Sequence, residues 1–230
     1  MVYPTVAFAW VMYPFGNPAA IPHDRLDEQW WQRRHDHCVR MSTYGRADVA
    51  FLGDSITQNW EYDGEHVWDT QIAPLKAANF GFGGDRTEHV LWRLDHGELI
   101  SMHPKVVVVM IGTNNIGQGA TPDETAEGVR TIVKTLTEKL PKSKVLLLGI
   151  FPRGMTPDDP GRRKTVEATA LFKGVADGKR VRFMDLGGVF THPDGTLRST
   201  MLPDLLHPNA AGYEIWAQAV LPEIRAMLRA

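Results

Sequence analysis

The chain has 230 residues, enough for one well-filled core, and its 43% hydrophobic and 23% charged content is that of a globular domain, not a disordered segment. A net charge of −2 with no extended basic tract excludes nucleic acid as the main partner, because phosphate contacts need clustered Lys and Arg. A single cysteine, Cys38, excludes an intrachain disulfide and a cysteine-built metal site, and no apolar stretch approaches the roughly 20 residues of a membrane span.

Residues 1–22 are apolar and aromatic but interrupted by Pro4, Pro14, Pro18 and Pro22 and lack a basic lead, which fits a signal peptide poorly. They are read as an extended arm lying on the domain or on a partner subunit, ahead of one domain over 23–230. Without a clear signal peptide the chain leans to the cytoplasm over secretion, and a homodimer is compatible with such an arm. A helix is predicted from about Asp24 to Met41. Apolar runs of strand length then recur at Val49–Leu52, Ala77–Phe80, Val106–Ile111, Val145–Ile150 and Val181–Asp185. "KVVVVMIG" and "KVLLLGI" are continuous, not alternating, as in central parallel strands covered on both faces.

The intervening segments have helical spacing. "DRTEHVLWRL" predicts a helix opened by an Asp85–Glu88 capping pair, burying Val90, Leu91 and Leu94. "TPDETAEGVRTIVKTLTEKL" opens with Thr121 as N-cap, Pro122 at the first helical position and Glu124 completing a capping box. Its buried face is Val129, Ile132, Val133, Leu136 and Leu140. The last helix follows Pro208 and buries Tyr213, Trp216, Val220, Ile224 and Leu228. Five strands alternating with helices predict an α/β fold: a single-domain, doubly wound, five-stranded parallel sheet in the flavodoxin-like order 2-1-3-4-5.

In such a sheet, ligands bind outside the carboxyl ends of the strands. Four turns there carry the least ordinary residues: Gly53-Asp54-Ser55, "NFGFGGDRT", Gly112-Thr113-Asn114-Asn115 and "PDLLHPN". Ser55, one of only five serines, closes a strand and opens a helix, so alone it reads equally as a cap or as a nucleophile. A serine alcohol needs a base to take its proton, and the base needs a carboxylate on its other nitrogen. His207 and Asp204, three apart before the last helix, can fill those roles. Ser55 N–H, Gly84 N–H and the Asn114 amide can supply donors to a developing oxyanion.

The blocks "FLGDSIT", "NFGFGGDRTEHVLWRL", "VVMIGTNN" and "DLLHPN", with "GIFPRG" after the fourth strand, resemble those of the SGNH, or GDSL, hydrolase family. Within it they resemble the branch of the platelet-activating factor acetylhydrolase catalytic subunits and their bacterial relatives. The resemblance runs from about Val49 to the C-terminus; Ile56 replaces the family's leucine, and the N-terminal arm lies outside it. It implies Ser55 as nucleophile, His207 as base, Asp204 as its orienter, and Ser55, Gly84 and Asn114 as the oxyanion hole. The function implied is hydrolysis of acetyl or other short acyl esters of a small molecule through an acyl-enzyme, with no cofactor or metal. Alternatives are a carbohydrate O-acetylesterase, a lysophospholipase or thioesterase for longer chains, an arylesterase, and a non-enzymatic phosphate- or flavin-binding module.

The other polar residues have plainer readings. Asp54 reads as a turn residue, Asp85 as a helix cap, and Asn115 as a turn residue beside the functional Asn114. His192 in "THPDG" is the rival base. His35 and His37, two apart on a helix, point to different faces. Trp30, Trp31, Trp92 and Trp216 read as core or helix-packing residues, and Cys38 as a buried small hydrophobe.

Overall fold

Five short strands, β1 (Val49–Gly53), β2 (Ala77–Gly81), β3 (Val106–Met110), β4 (Lys144–Leu148) and β5 (Val181–Met184), form one parallel sheet in the predicted order β2-β1-β3-β4-β5. They are seen in a computed structural model whose described residues are 16–229. Successive residues alternate between the two faces. Ala50, Leu52, Val107 and Val109 meet helices α1 (Gln29–Tyr44), α2 (Thr87–Asp95), α3 (Pro122–Lys139) and α4 (Pro160–Phe172). Val49, Phe51, Val106, Val108 and Met110 meet helix α5 (Ala210–Arg229) and the short helical turns of 55–75. Every residue of β1 and β3 is buried, as is β4 beyond Lys144, which is why β3 and β4 read as continuous apolar runs.

Register sets where the site can form. Gly53 is the Cα partner of both Gly81 and Met110, so the chain leaves β1, β2 and β3 at one level. The helical turn Ser55–Gln58 lies directly on the end of β2, where a Cβ on Gly81 would collide with the backbone of Thr57 and Gln58. The Asn79 side chain secures this approach, donating to the Thr57 carbonyl at 3.1 Å and accepting the Gly81 N–H at 2.8 Å.

The capping box of α3 forms as predicted, with Thr121 and Glu124 exchanging hydrogen bonds. The Asp85–Glu88 pair predicted for α2 does not: the helix starts at Thr87 after Arg86, whose N–H donates to His89 Nδ1 at 3.0 Å, and Asp85 turns inward. The reason is Arg93, a guanidinium with no exposed surface that needs a counter-charge. Asp85 accepts from Arg93 Nε at 2.9 Å, Trp31 Nε1 at 2.7 Å and Arg25 Nη1 at 2.9 Å. Arg93 also pairs with buried Glu98, reaches the carbonyls of Phe80 and Gly53, and lies 3.9 Å from the Phe82 ring centre. Helix α1 begins at Gln29, not near Asp24, because Asp24 accepts the Leu26 N–H and Arg25 is drawn to Glu28 and Asp85.

Residues 16–22 of the segment read as an arm lie on the domain itself. Pro18–Ala20 form one 3₁₀ turn, the Ala19 carbonyl accepts Thr87 Oγ1 at 2.7 Å, and Asn17 donates to the Glu124 carbonyl at 3.0 Å. Residues 1–15 lie outside the described residues. No helix among the described residues is long and apolar enough to cross a membrane.

Asp54 caps the turn that carries Ser55. Its Oδ1 accepts the Ile56 N–H at 3.0 Å, while its buried Oδ2 has no hydrogen-bond partner among the described residues. Burial pushes this carboxyl up to about 7, with the neighbouring Asp85 charge adding to the shift.

Two stability measurements follow from these buried charges. Arg93→Met leaves Asp85 and Glu98 buried without their shared cation and should lower the unfolding free energy by about 3–5 kcal/mol in urea at pH 7. A loss under about 1 kcal/mol would show that the pair does not hold the fold. Asp54 keeps its proton to higher pH folded than unfolded. The stability linked to it is therefore fully present below about pH 4 and lost as pH rises through about 7. Asp54→Asn retains the capping oxygen but cannot ionise. Urea titrations from pH 4 to 8 should show wild type losing up to about 4 kcal/mol relative to it. Parallel curves for the two proteins would contradict this.

Candidate active site

Because Asp54 takes the cap, the Ser55 hydroxyl is left for another partner. Its Oγ lies 2.8 Å from His207 Nε2, across 152 positions of sequence. His207 stands in the loop between β5 and α5, and its Nδ1 is 2.7 Å from Asp204 Oδ2. The other Asp204 oxygen accepts the backbone N–H groups of Leu206 at 3.0 Å and His207 at 2.7 Å. Burial raises this carboxyl, but the hydrogen bonds from the His207 ring and backbone outweigh it and hold Asp204 below the usual carboxylate range. An ionised Asp204 only accepts, so Nδ1 carries the imidazole proton and Nε2 offers its lone pair to the Ser55 hydroxyl.

The loop reaches this geometry at a cost. Leu205 has φ +64°, a left-handed conformation that costs a residue with a Cβ about 1–2 kcal/mol. It folds Asp204 back over its own chain, and the Gly154 N–H holds the Leu205 carbonyl at 3.0 Å.

The candidate oxyanion donors besides Ser55 lie on the turns after β2 and β3, the two strands that flank β1. Ser55 N–H and Gly84 N–H have no hydrogen-bond partner among the described residues. Gly84 has φ +74°, for which glycine is suited. The Asn114 amide donates one hydrogen to the Asp85 carbonyl at 2.9 Å and keeps a second. Its neighbour Asn115 points elsewhere. It is 2% exposed, accepts the Thr87 N–H at 3.0 Å and donates to Thr87 Oγ1 at 2.9 Å, which ties down the start of α2.

The rival residues lie apart from this chemistry. His192 sits in a turn closed by its own backbone bonds to Gly195 and Thr196. His35 is buried 3.0 Å from Glu98 and stacks on Trp31. No group of three His, Cys, Asp or Glu residues among those described is placed to hold a metal ion. Trp31, Trp216 and Cys38 are buried as expected. Trp30 is not: it is 38% exposed, and its ring edge would be 3.9 Å from a Cβ on Gly83.

Several residues that build the site were not singled out in the sequence. Gln58 Oε1 accepts the Gly83 N–H at 2.6 Å, and Arg25 Nη1 donates to the Gly83 carbonyl at 2.7 Å. Arg153, from "GIFPRG", donates to the Thr113 carbonyl at 2.8 Å and lines a cleft of about 470 Å³ with Ile116, Lys164, Asp204, Leu205 and Leu206. Only Arg153 lay in a quoted block; the partners of the others are too distant in sequence for any spacing to pair them.

Residues 51–215 match the model of the GDSL-like lipase/acylhydrolase family. The chain is 39% identical over 201 residues to the human platelet-activating factor acetylhydrolase IB subunit alpha2, covering 86% of each protein. Its fold is shared with a GDSL-like lipase from Bacteroides thetaiotaomicron, at TM-score 0.69 and 20% identity over 86% of this chain and 97% of that one. It is shared as well with an acetylxylan esterase from Geobacillus stearothermophilus, at TM-score 0.62 and 21% identity over 79% and 94%. With the four predicted blocks inside the matched span and the predicted sheet order observed, the chain belongs to the GDSL-like lipase/acylhydrolase family and is a carboxylic ester hydrolase.

Proposed function

We propose that this hydrolase removes acetyl or another short acyl group from a polar alcohol, with Ser55 as nucleophile, His207 as general base and Asp204 as its orienter. One observation carries the reading: the unbroken line of hydrogen bonds from Ser55 Oγ to His207 Nε2 at 2.8 Å and from His207 Nδ1 to Asp204 at 2.7 Å. In the first half-reaction His207 takes the hydroxyl proton as Ser55 Oγ attacks the ester carbonyl. The carbonyl oxygen becomes an oxyanion, met by Ser55 N–H, Gly84 N–H and the second Asn114 amide hydrogen. His207 then returns the proton to the departing alcohol, leaving an acyl-enzyme on Ser55. Water activated by the same imidazole releases the acid.

Two observations support the substrate class. The curated relative at 39% identity is named an acetylhydrolase. Arg153, Asp159 and Lys164 line a cleft with Asp204 but not with Ser55 or His207, so it borders the proposed triad at its carboxylate, and its charged lining suits a polar alcohol better than a long acyl chain.

Labelling by a fluorophosphonate probe should occur in wild type and vanish in Ser55→Ala, and His207→Ala should lose nearly all turnover while His192→Ala keeps most of it. Persistent labelling of the serine variant, or the reverse result for the two histidines, would reassign the site. On a p-nitrophenyl series run beside acetylated sugars, kcat/KM should be higher for acetyl than for decanoyl; the opposite order would move the enzyme to long-chain esters.

The two asparagines should separate cleanly. Asn114→Ala is expected to lower kcat about 100- to 1,000-fold with KM nearly unchanged, as for loss of one oxyanion donor. Asn115→Ala should lower the melting temperature, through about 1–3 kcal/mol of lost buried hydrogen bonding, with a smaller effect on kcat. Steady-state kinetics and thermal melts on both variants decide it, and a turnover loss confined to Asn115→Ala would refute the oxyanion assignment.

A further inference from the structure

We propose that Arg25 is a positioning residue for the oxyanion hole, acting through the peptide group that joins Gly83 to Gly84. This rests on the reading of Gly84 N–H as an oxyanion donor. A peptide is planar, so the Gly83 carbonyl and the Gly84 N–H point in opposite directions and turn as one body. Neither glycine has a side chain to hold that plane, and Gly84 sits at φ +74°. The carbonyl is gripped instead by Arg25 Nη1 at 2.7 Å, while Gln58 holds the Gly83 N–H at 2.6 Å.

Arg25 is itself fixed. Its Nη1 also donates to Asp85 at 2.9 Å, and its Nε and Nη2 reach the two Glu28 oxygens at 2.7 and 2.8 Å. The guanidinium lies 5.2 Å from the Trp30 ring centre and only 3.3 Å from where a Gly84 Cβ would stand. Two carboxylates face this one cation, so its field at the reacting oxygen is largely cancelled. What remains is directional: the charge-assisted bond aims the Gly84 N–H and draws electron density from the peptide, making that N–H a stronger donor. The same Asp85 that Arg25 grips accepts Asn114 on its backbone carbonyl, so one guanidinium braces the approach to both donors. Arg25 precedes the matched family span of 51–215.

The test uses Arg25→Ala and Arg25→Lys beside Asn114→Ala, with thermal melts on each. Each is assayed on an acetyl ester and for inhibition by a trifluoromethyl ketone, whose adduct with serine carries an oxyanion. Arg25→Ala should lower kcat by about tenfold or more with KM within about threefold, less than outright loss of a donor. The ketone inhibition constant should rise by the same factor as kcat/KM falls, because both report the oxyanion. Methylguanidinium should restore part of the turnover of Arg25→Ala, since the slot borders solvent. If the alanine variant fails to fold, Arg25→Lys carries the test: it keeps a cation beside Asp85 but lacks the planar fork, and should show the same coupled loss. Wild-type kcat and inhibition in the folded Arg25 variants, with Asn114→Ala impaired, would overturn the role of Arg25 and leave the oxyanion reading standing. Lowered stability with inhibition unchanged would equally overturn it, as a purely structural role. Full turnover in Asn114→Ala would instead bring down the oxyanion reading, and this proposal with it.

Discussion

The structure depends most on the buried charge of Arg93. A guanidinium without water must be fully partnered, and here Asp85, Glu98 and the carbonyls of Phe80 and Gly53 surround it. These partners come from the end of β1, the end of β2, the turn that follows it and the loop after α2. Satisfying one side chain therefore draws together the segments on which the chemistry is built. An apolar residue of the same volume would fill the space without dictating where the second turn ends.

Asp85 extends that constraint to the catalytic edge. Its carboxylate is held by Arg93, Arg25 and Trp31, and its carbonyl accepts the Asn114 amide. Gly84, immediately before it, is thus placed from within the core and not by the loop's own preference. Ser55 is placed by different means: a cap from Asp54, a glycine in β2 that permits close approach, and Asn79 bonding the back of its turn. The histidine loop has a third device, a leucine in a left-handed conformation anchored by Gly154. Each segment has its own brace, and Arg93 and Gln58 also tie the Ser55 turn to the glycine turn, so the placement of Ser55, His207 and the candidate oxyanion donors does not hang on any single flexible loop.

The segment before the first strand belongs to this machinery. Arg25, held by Glu28, meets the glycine turn, Trp30 lies beside it, and Ala19 and Asn17 tie to the starts of α2 and α3. The family match begins at residue 51, so this chain surrounds a shared core with contacts from a part of its sequence that the family pattern does not describe.

Much of this was legible in the chain itself. Continuous apolar runs announced central parallel strands because β3, and β4 beyond Lys144, are buried on both faces, and the Thr121–Glu124 box announced α3 because capping is a local interaction between residues three apart. The residue types proposed for serine hydrolysis could be picked out because each sits in a turn beside a strand or helix end. Other features could not be read locally. Asp85 looked like a helix cap by the same local rule that succeeded at Thr121, and the rule failed because a guanidinium eight residues later had to be neutralised in the core. Trp30 read as a core or helix-packing residue, yet it stands at the surface near the glycine turn. The grip of Arg25 on Gly83, 58 positions away, leaves no local pattern at all. Sequence determined what depends on neighbours along the chain: strand, helix, turn and the kinds of side chain at the strand ends. Tertiary structure alone decided which charges meet and which donors stay unpartnered, because burial makes partnering obligatory and only the fold brings the distant partners within reach.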